Sequence, residues 1–223
     1  VGTATTEVTV TDTVTNIELS TPANATTITG TQIRELALNT RNYAQLVNLM
    51  PGVSANQTDQ MFIGNSLPSG LVAVTPFSVN GQRNSANNWT VDGADNVDRG
   101  GNLTLINYPS ADAIDQFKVQ RSLYTADSGR AGGGQINVVT KSGGQNFHGN
   151  LYEFLRNNYF VANNFINNAN RVNVIDGKAQ VPPLRWNDFG GTIGGPLYIP
   201  KLMKKSSKTF FFYSEEHRRI ITY

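Results

Sequence analysis

The chain of 223 residues contains no cysteine and few charged residues. Without cysteine it can form no disulfide framework, no thiolate metal site and no cysteine nucleophile. Charged residues make up 15% of the chain, whereas about 25% is usual in soluble domains. The formal net charge of +2 lacks the strong basic excess of a nucleic-acid-binding protein, so no nucleic-acid partner is predicted.

Long apolar runs are missing as well. The densest apolar stretches are residues 71–74 and 210–213, far shorter than the roughly 18 residues that a membrane-spanning helix needs. Any membrane crossing would have to use β-strands, because only helices and closed barrels satisfy their backbone polar groups in lipid. The chain begins Val1-Gly2-Thr3 without the basic and apolar regions of a signal peptide, so we expect any such leader upstream.

Motifs of enzyme active sites are absent too. The two histidines, His148 and His217, fall in predicted strands, and there is no nucleophile elbow and no phosphate-binding loop. The sequence therefore predicts neither an enzyme nor a cofactor. Four side chains could offer clustered oxygens to calcium: Asp92, Asp95, Asn96 and Asp98. Their spacing is not that of an EF-hand and suits a turn, so no metal site is predicted.

The first 144 residues predict a small mixed β-sheet with short helices and long loops. Alternating side chains predict strands at residues 8–11, 77–83, 88–93, 117–120 and 135–140. Residues 77–83 and 88–93 are expected to pair with each other. Short helices are predicted around Ile33, at residues 43–50 after a cap at Asn39 or Thr40, and at residues 110–116. Residues 57–75 and 94–108 are predicted as irregular loops.

The remaining residues predict strands of another kind. Residues 147–156, 189–199 and 209–218 each approach the roughly 9 to 11 residues of a tilted barrel strand. In the second strand Phe189 and Ile193 share one face while Thr192 lies on the other, the alternation of a lipid-facing strand. A long segment, residues 157–188, separates the first two strands, and a short basic turn separates the last two.

Three segments, in this order, resemble the plug domain of TonB-dependent receptors, especially Oar-like receptors. The first is FSVNGQR at residues 77–83 with TVDGADN at 90–96, where commoner plugs have Arg-Gly in place of Gly-Gln-Arg. The second is IDQFKV at residues 114–119, before the glycine-rich stretch that ends at Gly134. The third is QINVVTKSGG at residues 135–144, followed by FHGNLY at 147–152.

The resemblance implies an α+β fold in two parts. Residues 1–144 would form the plug domain, and residues 145–223 the first antiparallel strands of an outer-membrane β-barrel. A barrel that holds a plug needs about 22 strands of roughly 10 residues, so the 79 residues after Gly144 (223 minus 144) would need the remainder of the barrel as a partner. The implied location is the outer membrane of a Gram-negative bacterium, in contact with its lipid.

The implied function is gated uptake of an unidentified extracellular ligand. A TonB-type energy-transducing protein would pull a segment upstream of Val1 and rearrange the plug. The apical loops supply the predicted substrate-binding residues Met61, Phe62, Asp95, Asp98, Arg99 and Asn102. Contacts between plug and barrel are predicted for Arg83, Arg121, Arg130, Glu215 and Glu216, because a buried charge needs a partner. Plain loops and solvated surface charges stay open as alternatives for both sets.

A second function also stays open at this point. The strands after Gly144 have unpaired edges that could add to a strand of another copy. An extracellular structural or adhesive protein could build a filament in this way. A continuation of alternating strands beyond Tyr223 would favour the receptor, and an early stop the filament subunit.

Overall fold

The computed structural model of the chain describes residues 23–38, 41–55, 77–171, 174–198 and 208–222. The strands are β1 (Asn24–Thr29), β2 (Val53–Ala55), β3 (Phe77–Val79), β4 (Asn88–Val91), β5 (Ala94–Asp95), β6 (Ile114–Ser122), β7 (Gln135–Thr140), β8 (His148–Asn157), β9 (Val174–Ile175), β10 (Lys178–Ala179), β11 (Leu184–Pro196) and β12 (Phe210–Thr222). The α-helices are α1 (Gly30–Glu35) and α2 (Phe165–Ala169). The 3₁₀ helices are Tyr43–Leu49, Asn84–Ala86, Ala111–Ala113, Ala126–Ser128 and Asn158–Phe160. The predicted strand at residues 8–11 lies outside the described residues.

Two main sheets divide the chain. The first has the strand order β1-β6-β7-β4-β5, in which β4 and β7 are parallel and the other pairs antiparallel. The second is wholly antiparallel, with the order β12-β11-β8. The described residues also form two small strand pairs, β2 with β3 and β9 with β10. The mixed first sheet with its few short helices confirms the predicted α+β fold.

The predicted pairing of residues 77–83 with 88–93 is wrong. β3 pairs with β2 instead, and β4 forms a hairpin with β5 across Asp92-Gly93. Both turn residues have positive φ, 50° and 81°, which is the backbone that a two-residue hairpin demands. The predicted loop at residues 94–108 is also partly ordered, because Val97 and Leu105 form a β-bridge and are buried.

The helical segments are shorter and tighter than predicted. Residues 43–49 form a 3₁₀ helix, and its cap is Asn42, whose side chain accepts a hydrogen bond from the amide of Ala44 at 2.9 Å. The predicted helix at residues 110–116 is a single 3₁₀ turn, and strand β6 begins at Ile114. The first turn of an α-helix fixes several dihedral angles and gains only one hydrogen bond. Segments this short therefore do not form a stable α-helix. Among the residues described, no helix has the length and apolar character needed to cross a membrane.

Helix α1 begins with a capping box. The amide of Gln32 donates to the Thr29 hydroxyl at 3.4 Å, and the amide of Thr29 donates to Oε1 of Gln32 at 3.0 Å. Thr29→Ala should destabilise the chain by about 1 kcal/mol, because the first turn loses a partner for a backbone amide. Thr29→Ser keeps the hydroxyl and should stay close to wild type. Urea denaturation followed by near-UV circular dichroism would test this, and equal loss in both variants would contradict it.

The first sheet carries its own hydrophobic core. Its largest fully buried side chains include Tyr43, Phe77, Trp89 and Phe117, with ring centroids 6.0 Å apart for Tyr43 and Phe117 and 6.1 Å apart for Phe77 and Trp89. Among the described residues, every buried apolar side chain except Trp186 and Pro196 lies at or before Val138. The front part of the chain is therefore a separately packed unit, and the second sheet does not share its centre.

The second sheet confirms the three strands predicted after Gly144, with shifted ends. Strand β11 begins at Leu184 rather than at residue 189 and pairs along its length with β12. Its side chains alternate: Asp188 and Thr192 are buried, whereas Phe189 and Ile193 are 45% and 48% exposed. The face with Asp188 points toward the first sheet, since the side chains of the second sheet that contact the first sheet lie on this face.

Candidate functional site: the contact between the two sheets

One arginine of the first unit lies against the wall formed by the second sheet. Arg41 precedes the Asn42 cap in a left-handed conformation with φ of 54°, and its side chain is 9% exposed. It forms an ion pair with the carboxylate of Asp112, which is 6% exposed. Its guanidinium also lies 4.6 Å from the ring centre of Tyr152 and 4.1 Å from that of Phe154, both on β8. The contact thus combines a buried ion pair with cation–π attraction across the boundary.

Asp112 is fixed from three sides. Besides Arg41, its Oδ1 accepts a hydrogen bond from the Asn150 amide at 2.5 Å, and Asn150 in turn accepts one from the Thr192 hydroxyl. The ammonium of Lys141 donates to the backbone carbonyl of Asp112 at 2.6 Å. Burial lowers the pKa of Lys141 from its ordinary value, and the nearby Arg34 guanidinium lowers it further. These bonds hold the Asp112 carboxylate where the wall meets the first unit.

The charges continue along the inner face of the wall. Arg218 on β12 lies 3.0 Å from Asp188 and 2.9 Å from Glu216. Glu216 also accepts a hydrogen bond from the Tyr152 hydroxyl at 2.9 Å and lies 3.9 Å from Nε of Arg41. Asp112, Arg41, Glu216, Arg218 and Asp188 therefore form one chain of alternating charge, which we call the interface network. Alternation matters because each buried ion needs a neighbour of opposite sign.

A glycine makes room for this arrangement. Gly190 lies on the inner face of β11, opposite Tyr152 on β8 and Glu216 on β12. A Cβ at this position would lie 2.8 Å from the Tyr152 hydroxyl oxygen. The missing side chain lets the phenol cross the strand and reach Glu216.

A second cluster lies at the exposed turn after β5. Asp95 pairs with Arg99, and Nη1 of Arg130 lies 3.5 Å from the same carboxylate. The three side chains remain between 38% and 63% exposed. The structure thus brings together two of the predicted substrate-binding residues, Asp95 and Arg99, with an arginine that was predicted to meet the barrel.

Two other predicted substrate-binding residues shape this turn. The carboxylate of Asp98 accepts hydrogen bonds from the amides of Gly101 and Gly100 at 2.9 and 3.1 Å, which lower the pKa of Asp98. The side-chain amide of Asn102 donates to the backbone carbonyls of Ser85 and Asn87 at 2.7 and 2.9 Å. Both side chains hold the loop in place. The remaining two, Met61 and Phe62, lie outside the described residues.

The predicted contacts between arginines and the barrel are not the ones that the structure forms. Arg121 donates to the Pro51 carbonyl at 2.8 Å and to Asn24 at 2.5 Å, within the first unit. Arg83 is exposed, and Arg130 lies at Asp95. In the described parts of the chain none of the three reaches Glu215 or Glu216.

The two glutamates themselves explain part of this difference. Successive strand residues point to opposite faces, so Glu215 and Glu216 could not both face inward. Glu216 faces the first unit, while Glu215 accepts from the Tyr213 hydroxyl at 2.6 Å and pairs with His217 at 2.7 Å on the outer face. The arginine of the first unit that meets Glu216 is Arg41. No local motif marks Arg41, because its main partner, Asp112, is 71 residues away.

Comparison with known proteins finds a matching family model for each of the two units. Residues 18–135 match the family model of the TonB-dependent receptor plug domain, and residues 139–223 match that of an outer membrane beta barrel domain. The chain is 28% identical over 169 residues to the TonB-dependent transporter Oar of Myxococcus xanthus, which covers 73% of this chain and 13% of the transporter.

Two solved structures are similar to the chain in fold. The outer membrane transporter YddB from Escherichia coli gives a TM-score of 0.58 at 16% identity, covering 78% of this chain and 24% of the transporter. The siderophore receptor PirA from Acinetobacter baumannii gives 0.51 at 18% identity, covering 78% of this chain and 22% of the receptor. The chain therefore spans less than a quarter of the length of these relatives.

The plug model alone covers more than half of the chain, 118 residues (135 minus 18, plus 1) of 223. The second sheet follows it and lies within the residues that match the outer membrane beta barrel domain. The chain thus belongs to the family of TonB-dependent receptor plug domains, continues after the plug into an outer membrane beta barrel domain, and lies in the outer membrane of a Gram-negative bacterium.

Proposed function

We propose that this chain gates the uptake of an extracellular ligand, and that the interface network holds the plug closed against the barrel wall. The observation that carries the proposal is the position of Arg41. Its guanidinium belongs to the plug, pairs with Asp112 of the plug and packs on Tyr152 and Phe154 of the wall. One side chain therefore links the folded interior of the plug to the barrel.

The chemistry of this contact suits a part that has to move. The plug keeps its own apolar core, so it can shift against the wall without exposing Phe117 or Trp89. What a shift breaks is a set of directional polar contacts, in which ion pairs and hydrogen bonds are lost together and can re-form. A TonB-type protein that pulls on a segment upstream of Val1 would supply the work.

We propose further that plug and barrel divide near Gly144. Strand β7 of the plug sheet ends at Thr140, and β8 of the wall begins at His148. Between them, a Cβ added to Gly143 would meet the backbone of Phe211 on β12. Only a residue without a side chain lets the linker pass so close to the first barrel strands.

The ligand is proposed to meet the plug at the turn that carries Asp95 and Arg99. This turn is exposed and charged, and Asp98 and Asn102 fix its shape from below. Met61 and Phe62, which lie outside the described residues, are retained as proposed apolar contacts of the ligand. A ligand with both hydrogen-bonding groups and charge would fit this surface.

A disulfide across the gate tests the proposed movement. The hydroxyl oxygens of Ser110 on the plug and Ser214 on the wall lie 3.3 Å apart, and this chain has no cysteine of its own. In the full-length receptor, Ser110→Cys with Ser214→Cys should form a disulfide after a small rotation of the side chains. When denaturant is added in planar bilayers, the oxidised receptor should then pass no ion current. Addition of a reductant should restore the current that the denaturant produces in the wild type.

The two single-cysteine variants are the matched controls, because they carry the same changes without the bond. They should open in denaturant as the wild type does. If the oxidised double variant opened at the same denaturant concentration as these controls, the plug would not need to move at this contact and the proposal would fail.

A further inference from the structure

A polar cavity of about 490 Å³ lies between the plug and the wall. Arg34 and Lys141 of the plug and His148 of the wall are among the residues that line it. The cavity lies beside the start of β8, at the end of the wall opposite residues 158–183. Outer-membrane barrels have long extracellular loops and short periplasmic turns, so this end faces the periplasm. None of the five residues of the interface network lines the cavity.

Helix α1 brings the Arg34 guanidinium to this cavity. A Cβ added to Gly30 would lie 2.7 Å from the carbonyl oxygens of Ile114 and Asp115, so the helix packs directly on the backbone at the start of β6. Nη1 of Arg34 lies 3.3 Å from the same Cβ position, and Nη2 donates to the Thr31 hydroxyl at 3.3 Å. The guanidinium therefore lies back over the first turn of α1, where Gly30 and Thr31 also line the cavity.

The ammonium of Lys141 is the second cation of the cavity. The Lys141 backbone amide donates to the Ala113 carbonyl at 2.8 Å and its ammonium to the Asp112 carbonyl at 2.6 Å, which leaves two ammonium protons for other partners. Burial lowers the pKa of Lys141 most, and the Arg34 guanidinium lowers it by more than either Asp112 or Asp115 raises it. Within the described residues neither Arg34 nor Lys141 forms an ion pair. The two cations thus share the cavity without a counterion of their own.

We propose that this cavity binds a small oxyanion with two negative charges, of the size of inorganic phosphate, between Arg34 and Lys141. A guanidinium offers a planar fork to two oxygens of such an anion, and an ammonium adds a point charge with free donors. The volume of the cavity also leaves room for hydration water, since each water occupies about 30 Å³. On the wall side, a Cβ at Gly194 would lie 2.8 Å from Nε2 of His148, so this glycine leaves space for the imidazole that closes the cavity.

Equilibrium dialysis of radiolabelled inorganic phosphate against the purified full-length receptor tests the site. Chloride buffer at constant ionic strength keeps general charge screening equal in all samples. The wild type should bind phosphate saturably at this site. Arg34→Gln and Lys141→Gln should each weaken that binding at least about tenfold, because each variant removes a charge-assisted hydrogen bond to the anion.

The matched controls each remove one exposed cation elsewhere. Arg83→Gln changes the plug and Lys178→Gln the wall unit, and both should bind phosphate as the wild type does. Heat-dependent gel migration verifies that every variant is folded. A folded wild type that binds no phosphate saturably, or equal binding by the two cavity variants and the two controls, would overturn the proposal.

Occupation of the cavity should also favour the closed plug. The cavity exists only while plug and wall lie together, so an anion that binds there stabilises that arrangement by mass action. This second step rests on the proposed gating function. At a phosphate concentration of ten times Kd, the open population in denaturant should fall about elevenfold in the wild type and stay unchanged in Arg34→Gln. An equal fall in both would contradict the coupling, whereas dialysis decides the site itself independently of gating.

Discussion

Replacing Arg41 by alanine is expected to raise the open population of the receptor by roughly two to three and a half orders of magnitude. Removing one partner of a buried ion pair costs about 3 to 5 kcal/mol, because the other charge is left without compensation, and about 1.4 kcal/mol corresponds to a factor of ten. In this substitution Asp112 loses its ion-pair partner, and Glu216 loses its contact with an arginine of the plug. Tyr152 and Phe154 also lose the cation that lies over their rings.

The measurement is the ion current through purified full-length receptor in planar bilayers, together with the susceptibility of cells to a large antibiotic. Arg41→Lys keeps the charge but loses the planar fork, so it should fall between wild type and alanine. Arg83→Ala is the matched control, because Arg83 is an exposed arginine of the same plug. Currents from Arg41→Ala no larger than those from Arg83→Ala would contradict the role assigned to Arg41.

Replacing Arg218 by alanine is expected to destabilise the barrel wall by about 3 to 5 kcal/mol, because two acids are then left side by side. Arg218 is the cation between Asp188, which is 1% exposed, and Glu216, which is 16% exposed. It also lies 5.6 Å from the ring centre of Trp186, so packing is lost together with charge.

The next residue along the strand provides the control. Arg219 is exposed on the outer face of β12, and Arg219→Ala should change stability by less than about 1 kcal/mol. Urea-dependent folding of the full-length barrel, followed by heat-dependent gel migration, measures both variants. Similar loss in Arg218→Ala and Arg219→Ala would show that the inner network contributes nothing beyond general surface charge.

Local patterns predicted much of this fold. The strands of the wall follow from side-chain alternation, since Phe189 and Ile193 must face away from Asp188 and Thr192. A turn at Asp92-Gly93 follows from residues that tolerate positive φ, although its hairpin partner β5 lies in a segment that was predicted as a loop. These features depend on neighbours in sequence, and the structure places them where the sequence indicates.

Strand pairing and the residues of the site were not predicted, because they depend on contacts between distant parts of the chain. The pairing of β3 with β2, and not with β4, depends on contacts that no short pattern encodes. Arg41 has no motif around it, and its significance arises when Asp112 and Glu216 are brought to it by folding. Membership of the plug family removes the support for a filament subunit, which rested on the unpaired edges of the strands after Gly144.

Hydrogen exchange of the full-length receptor tests most directly whether the plug is a separate unit held by polar contacts. With rising denaturant, the amides of β1, β4, β6 and β7 should begin to exchange together while those of β8, β11 and β12 stay protected. Arg41→Ala should shift only the first group to lower denaturant. Exchange of both sheets in a single transition, with the same shift on substitution, would show that plug and wall form one cooperative unit and would contradict the account.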